Sequence, residues 1–320
     1  MQRLPDSTFL IHHGTPFIMQ RRTTLAALAA LANVPTSPAD AATLRLLQTL
    51  KPSPRMPVLF IGHGSPMNAI ADNVWRRSWQ ALGVELLARE TKPQLILCIS
   101  AHWLTQDGWQ ITGMAQPKTI HDFGGFPQEL FDQQYLAPGA PTLANTLARE
   151  LNSPANGKSL GVDTDAWGLD HGTWSVLKPM FPKAEIPVLQ LSMDYSRPPA
   201  EHYALGRQLQ TLRNNGVLIV GSGNIVHHLR ATGPGIPING AYDWAREFDA
   251  VVHQQIKSGQ LGKLQNFLAL GALAQQAHPT HEHHLPLLYA AGAAHSSEMP
   301  RFFNIGFQSA AVSMQSVLWG

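Results

Sequence analysis

Charge and cysteine are both scarce in this chain of 320 residues: only 14% of positions are Asp, Glu, Lys or Arg, and Cys98 is the single cysteine. One thiol excludes an internal disulfide framework, and its place inside an apolar run reads as an inert core residue rather than a nucleophile. The formal net charge is +2, and no Lys/Arg cluster exceeds Arg21-Arg22 or Arg76-Arg77. The electrostatic footprint of a nucleic-acid partner is therefore missing. No apolar run approaches the ~20 residues needed to span a bilayer. Past residue 55 there is no internal repeat, low-complexity tract or Gly/Ser linker, which favours one continuous domain from 56 to 320. A small-molecule partner is the function class left standing.

What the chain does have is an apolar fraction of 44%, enough to build a large core at this length, and 15 histidines. Four short apolar runs end in polar residues suited to chemistry. Val58-Leu59-Phe60-Ile61 runs into Gly62-His63-Gly64-Ser65-Pro66, and Leu95 to Ile99 runs into Ser100-Ala101-His102-Trp103. Val217 to Val220 leads to Gly221-Ser222-Gly223-Asn224 and on to His227-His228, while Ile186 to Leu191 ends in Ser192-Met193-Asp194. Such runs read as strands buried on both faces, the kind found in parallel sheets. Between them, 73–82, 141–151 and 198–212 read as helices, the last two bounded by prolines and by Asn or Gly stops. Alternation of strand and helix predicts an α/β fold: a three-layer αβα domain around a largely parallel or mixed sheet.

Ligands of such sheets bind just outside the carboxyl ends of the strands, so histidines placed there converge. His63, His102, His227 and one of His281, His283 or His284 are candidates for a metal centre, since a borderline divalent ion prefers imidazole with at most a carboxylate beside it. Two loops, His121 to Phe126 and Trp167 to Trp174, add histidine beside aspartate, glycine and aromatic rings. Aromatic walls with a titratable imidazole suit a planar substrate whose hydroxyls must lose protons. The competing explanation for either loop is a rigid turn held by Asp side chains.

The amino-terminal residues 1–55 stand apart. Met19-Gln20-Arg21-Arg22 precedes a short apolar stretch, Leu25 to Ala32, and then a Pro/Ala-rich segment with Ala39-Asp40-Ala41. This resembles a twin-arginine export signal followed by a linker, with the mature chain beginning near Ala42. An amphipathic helix tied to the outside of the domain fits the same residues.

The motifs also carry a family resemblance. Gly62-His63-Gly64-Ser65-Pro66-Met67-Asn68, Ser100-Ala101-His102-Trp103, His121-Asp122-Phe123-Gly124-Gly125-Phe126, Asp170-His171-Gly172, Ser222-Gly223-Asn224 with His227, and Pro279-Thr280 with Glu282-His283 follow one another in order. From residue 56 onward the chain resembles the bacterial and plant 4,5-DOPA extradiol dioxygenases of the class III ring-cleaving superfamily. That resemblance implies one divalent ion per chain, held by His63, His102 and His283. His227 would be a fourth ligand or the catalytic base, His171 the acid/base that handles a substrate hydroxyl, and His121 part of the catechol pocket. Many class III relatives use two histidines and a glutamate, so Glu282 competes with His283 as ligand.

The implied reaction is extradiol cleavage of a catechol by O2, with L-DOPA opened to a seco-DOPA semialdehyde. Iron(II) is expected for turnover and zinc as a stable occupant of the same site. Resemblance places the protein in the cytoplasm, whereas a working Arg21-Arg22 signal would place it in the periplasm. Two rivals fit an open imidazole site: a zinc hydrolase, although no HExxH helix is present, and a non-enzymatic metal-binding relative.

Overall fold

A computed structural model describes residues 50–231 and 240–320. The readings around Arg21-Arg22 and Ala39-Asp40-Ala41 lie outside the described residues. The chain is already tied to the domain ahead of residue 56, because Leu50 packs in the core, Lys51 N–H donates to Gln94 Oε1 and Ser53 N–H donates to Asn214 O.

The four apolar runs become β1 (Val58–Gly62), β2 (Leu95–Thr105), β5 (Val188–Asp194) and β6 (Val217–Gly223). They lie side by side as β5-β2-β6-β1, all parallel. Two short strands, β3 (Gln110–Thr112) and β4 (Gly161–Asp163), extend the sheet at one edge, with β3 antiparallel to β5. At the other edge β10 (Ser316–Trp319) pairs antiparallel with β1, and β7 (Pro300–Phe303) pairs antiparallel with β10. The sheet is therefore mixed around a parallel centre, in the order β4-β3-β5-β2-β6-β1-β10-β7. A separate hairpin, β8 (Phe307–Gln308) with β9 (Val312–Ser313), stands over the β1 end.

Strand alternation sorts the core into two layers. Leu59, Ile61, Ile96, Cys98, Leu218 and Val220 face α1 (Val74–Leu87) and α3 (His171–Met180). Phe60, Leu95, Leu97, Leu189 and Ile219 face α2 (Pro141–Glu150), α4 (Pro199–Gln208), α5 (Asp243–Lys257) and α6 (Leu285–Ala293). Cys98 is fully buried, and burial pushes its thiol up to about 12, in keeping with an inert core residue. Helix starts follow local chemistry. Asn73 Oδ1 accepts the Arg76 N–H, Asp170 Oδ1 accepts the Thr173 N–H, and proline opens α2, α4 and α6. The helix expected over 198–212 is α4 followed by a tighter 3₁₀ segment, Leu209–Asn215, which ends where Gly216 takes φ +73°.

Beneath the sheet a buried ion pair ties three segments together. The Arg213 guanidinium donates two bonds to Glu298 (2.6 and 2.8 Å) and further bonds to Met56 O and Ala293 O. Arg213 is fully buried. Without Arg213, Glu298 keeps only the His295 N–H and Arg55 at 3.8 Å while the Met56 and Ala293 carbonyls lose their donor, so Arg213→Met is expected to cost about 1–3 kcal/mol in urea unfolding. A cost under about 1 kcal/mol, the scale of a surface pair, would contradict this role.

Candidate metal and catalytic site

The parallel strands deliver their carboxyl ends to one face, and the site is built there. His63 follows β1 directly, its backbone N–H donating to Gly223 O at the end of β6. His102 was expected past the end of β2. Instead β2 continues to Thr105, and its pairing with β5 shifts register between Ile99 and Leu104. An irregularity of this kind re-aims side chains, and here it turns His102 into the site. His283 lies just ahead of α6, and its carbonyl accepts the Asn224 N–H. That approach requires glycine at 223, where a Cβ would sit 2.2 Å from His283 O.

The three imidazoles meet, with one ring nitrogen of each within 4.8 Å of the others. His63 Nε2 and His102 Nε2 are 3.3 Å apart. Each of the three rings has its Nδ1 engaged: His63 on Ser222 Oγ (3.1 Å), His102 beside Asp122 Oδ2 (3.3 Å), and His283 on Glu282 Oε1 (3.0 Å). Ser222 Oγ donates onward to Gly172 O, so it accepts from His63. Nδ1–H tautomers leave the Nε2 lone pairs of His63 and His102 facing each other. Two such lone pairs repel unless a cation lies between them. Two nitrogens bound at ~2.0–2.1 Å to a tetrahedral ion would be roughly 3.4 Å apart, which matches. Burial, reinforced by neighbouring imidazoles, holds all three well below the ordinary histidine range, in the neutral form that ligates. The donor set fits a divalent metal. Glu282, the rival to His283, is spent on the Nδ1 of that histidine.

The other sequence candidates divide. His171, the first residue of α3, comes within 3.8 Å of His102 between ring centroids, and its Nδ1 lies 3.0 Å from Asp122 Oδ1. Burial pushes its predecessor Asp170 up to about 6. His227 stacks on His283 with centroids 3.4 Å apart and planes 9° from parallel. The stack sets His227 beside the three-imidazole group, and one donor atom each of His227, Glu282 and His283 lies within 4.8 Å of the others, so both alternatives for this residue, a fourth ligand or a group beside the site, fit its position. His121 departs from expectation and does not line the cavity. Its Nε2 donates to Gln133 O (2.9 Å), and its ring packs against Phe123, Phe131 and Trp174. The next two residues, Asp122 and Phe123, form the wall in its place.

Above the imidazoles opens a cavity of about 540 Å³ whose walls include His102, Asp122, Phe123, Phe126, His171 and His227. Its size and its mix of aromatic walls with a few convergent polar groups suit a small aromatic ligand. Ser222 and Asp122 are not singled out as site residues by sequence, and Glu282 reads there only as a rival ligand. Each stands within a quoted motif, but only its contact with a ring nitrogen marks it as a partner of a histidine.

Buried neutral histidines also set the acid limit of the fold. Burial lowers His202 and His227 to about 4 and His284 to about 3. The unfolded chain binds these protons near 6.5 while the folded chain refuses them. The stabilisation is thus complete above about pH 6.5 and is lost as pH falls toward 4, about 3 kcal/mol for His202 across the window. Asp170 and Asp249, raised by burial to about 6, act in the opposite sense, contributing most below about 4 and losing it as pH rises through 6. Histidines outnumber them. The melting temperature of metal-free protein is expected to fall between pH 7 and pH 5 in calorimetry, and a flat or rising value would contradict it.

Fold and site together define an α/β enzyme with a buried imidazole metal site. Residues 57–314 match the family described as the catalytic LigB subunit of aromatic ring-opening dioxygenase, and the chain belongs to that family. It is an extradiol aromatic ring-opening dioxygenase, a class that implies a metal cofactor and a small aromatic substrate with O2. Over 275 residues it is 44% identical to a protein of Escherichia coli strain K12 named 4,5-DOPA dioxygenase extradiol, covering 84% of this chain and 96% of that one. A Beta vulgaris protein of the same name is 38% identical over 235 residues, 73% of this chain and 85% of its own. The crystal structure of an uncharacterized Escherichia coli K12 protein superposes with a TM-score of 0.70 at 39% identity, covering 83% of this chain and all of that one. Family membership selects ring opening over the hydrolase and the non-enzymatic alternatives. No helix among the described residues is long and apolar enough to cross a membrane.

Proposed function

We propose that this dioxygenase opens L-DOPA, or a closely related small catechol, at the ring bond next to the two hydroxyls. Both atoms of O2 would enter the product, a semialdehyde acid. The observation that carries the reading is the meeting of His63 Nε2 and His102 Nε2 at 3.3 Å, joined by a ring nitrogen of His283, beside an aromatic-walled cavity.

In this reading His63, His102 and His283 are the protein ligands. An ion held by them would supply the redox-active centre that orients both catechol oxygens, which requires iron(II), because zinc has no accessible second oxidation state and would be an inactive occupant. Every proton movement falls to side chains. His171 is the cavity imidazole that takes the second hydroxyl proton of the catechol, raising the electron density of the ring. It returns that proton as the ring opens. Asp122, which contacts Nδ1 of His171, leaves Nε2 as the exchanging atom. Phe123 and Phe126, packed edge to face on each other (5.3 Å), form one aromatic wall against which the substrate ring would lie, and Phe123 also packs edge-on against His171 (5.5 Å). His227, held flat on His283, is the second basic group at the cavity wall. The polar tail of the substrate would meet Ser65, Gln308 and Ser309, which share the same cavity. The naming of the relatives supports L-DOPA as the first substrate to try.

Iron-loaded protein is expected to consume O2 with L-DOPA faster than with protocatechuate, caffeate or plain catechol, with a coloured semialdehyde as product. Oxygen uptake and product spectra measure this. Preference for another catechol would overturn the L-DOPA assignment alone, while no uptake with any of them would overturn the catechol reading.

A further inference from the structure

Asp122 stands where two different functions of the site meet. Its Oδ2 lies 3.3 Å from His102 Nδ1, and its Oδ1 lies 3.0 Å from His171 Nδ1 while also accepting the His171 backbone N–H at 2.9 Å. We propose that Asp122 is the positioning residue of this enzyme: one carboxylate fixes the tautomer of His102 for metal capture and the ring orientation of His171 for proton transfer, so that the two histidines cannot be set independently. The inference rests on the roles proposed above for His102 and His171.

The loop that carries Asp122 is fastened on both sides of it. Ile120 N–H donates to Leu169 O (2.8 Å), and Ile120 O accepts the indole N–H of Trp174 (2.9 Å). On the other side Phe123 is packed among Phe126, Phe131, His171 and Trp174. The two histidines come from separate elements, β2 and α3, which the glycine at 172 lets approach, since a Cβ there would sit 2.9 Å from His102 Cδ2. The carboxylate is thus clamped in place between two rings that arrive from different parts of the fold.

A carboxylate is an acceptor at both oxygens, so every nitrogen turned toward it must carry the hydrogen. For His102 the carboxylate at 3.3 Å favours Nδ1–H, which leaves Nε2 as a lone pair on the side of His63. An orienting carboxylate behind a metal-binding histidine typically contributes 10–100-fold in metal affinity. An amide of the same shape has one acceptor and one donor end. In Asp122→Asn the amide oxygen will stay on the His171 side, where the backbone N–H of His171 holds it (2.9 Å), and the NH2 will fall against His102. His102 must then become an acceptor at Nδ1 and carry its hydrogen on Nε2, the atom that ligates. The loss therefore appears first in metal binding, although the substituted residue is no ligand.

The test uses the full chain and Zn2+ as probe, in competition with a chromophoric chelator, beside histidine 15N NMR of the zinc-loaded parent. D122N is expected to bind Zn2+ about 10–100-fold more weakly than the parent, to keep its circular dichroism, and to show His102 shifted toward the Nε2–H tautomer. In the parent, His102 and His171 should both carry Nδ1–H. D122N with affinity within about three-fold of the parent and an unchanged His102 tautomer would overturn the proposal, as would Nε2–H on His102 in the parent, a measurement that needs no variant to fold. His102→Ala separates the two levels of inference. If it keeps parental Zn2+ affinity, His102 is no ligand and the underlying reading fails. If it loses the metal while D122N does not, only the role of Asp122 falls.

Discussion

Alanine at His63 or at His283 is expected to strip the bound ion from the chain and abolish ring opening. The two residues hang from different strands and loops, His63 on the end of β1 and His283 on the turn into α6, yet their rings are 5.3 Å apart between centroids. Each contributes a buried imidazole held below the ordinary histidine range by burial, with its Nδ1 on a hydrogen-bond partner that orients the ring. Losing one of three protein ligands leaves a two-imidazole site that binds divalent ions weakly. Metal content by mass spectrometry and oxygen uptake with L-DOPA measure the outcome together. Stoichiometric metal in both variants would remove this trio as the ligand set, whatever the activity.

His171→Gln separates chemistry from binding. Glutamine is a polar side chain that cannot exchange a proton near neutrality. A positioned general acid/base contributes typically ~10²–10⁴-fold, and that is the expected loss in kcat. Metal content should remain near the parent value, because His63, His102 and His283 are untouched and Asp170 still caps α3 through the Thr173 N–H. Turnover within a few-fold of the parent would take His171 out of the reaction. Loss of metal together with turnover would make His171 part of the metal-binding site instead.

These residues also show how far a one-dimensional pattern reaches. The runs at Val58, Leu95 and Val217 are legible as buried strands because β-branched and leucine residues continue on both faces, and only a strand covered by helices on both sides tolerates that. From buried parallel strands, convergence at their carboxyl ends follows from topology alone. The gathering of His63, His102 and His283 was therefore within reach of sequence, with the family motifs supplying the choice of His283 from a run that holds four titratable residues, His281 to His284.

Direction was not within reach. His121 and Asp122 are adjacent in one loop, and the sequence signal, a histidine beside aromatic residues, pointed at His121. Consecutive side chains of an extended backbone leave on opposite sides, so one of the pair had to face the cavity and the other the packing behind it. Trp174, Phe131 and Gln133 O receive His121, and Asp122 is left with the rings of His102 and His171. The same holds for His227, which sequence left as either a fourth ligand or a group beside the metal. Its stack on His283 sets it at the edge of the imidazole group, and stacking geometry is a property of two rings from distant segments.

By itself, then, the sequence determined the αβα class, the strand ends on which chemistry sits and the residue types that gather there, because hydrophobic periodicity and motif order are local and are written residue by residue. Only the tertiary structure decided which ring nitrogens of these imidazoles meet and which carboxylate stands behind them. Those choices depend on hydrogen bonds between residues far apart in the chain, Ser222 with His63 and Asp122 with His102 and His171, and such partners exist only once β2, β6 and the helix that begins at His171 have packed.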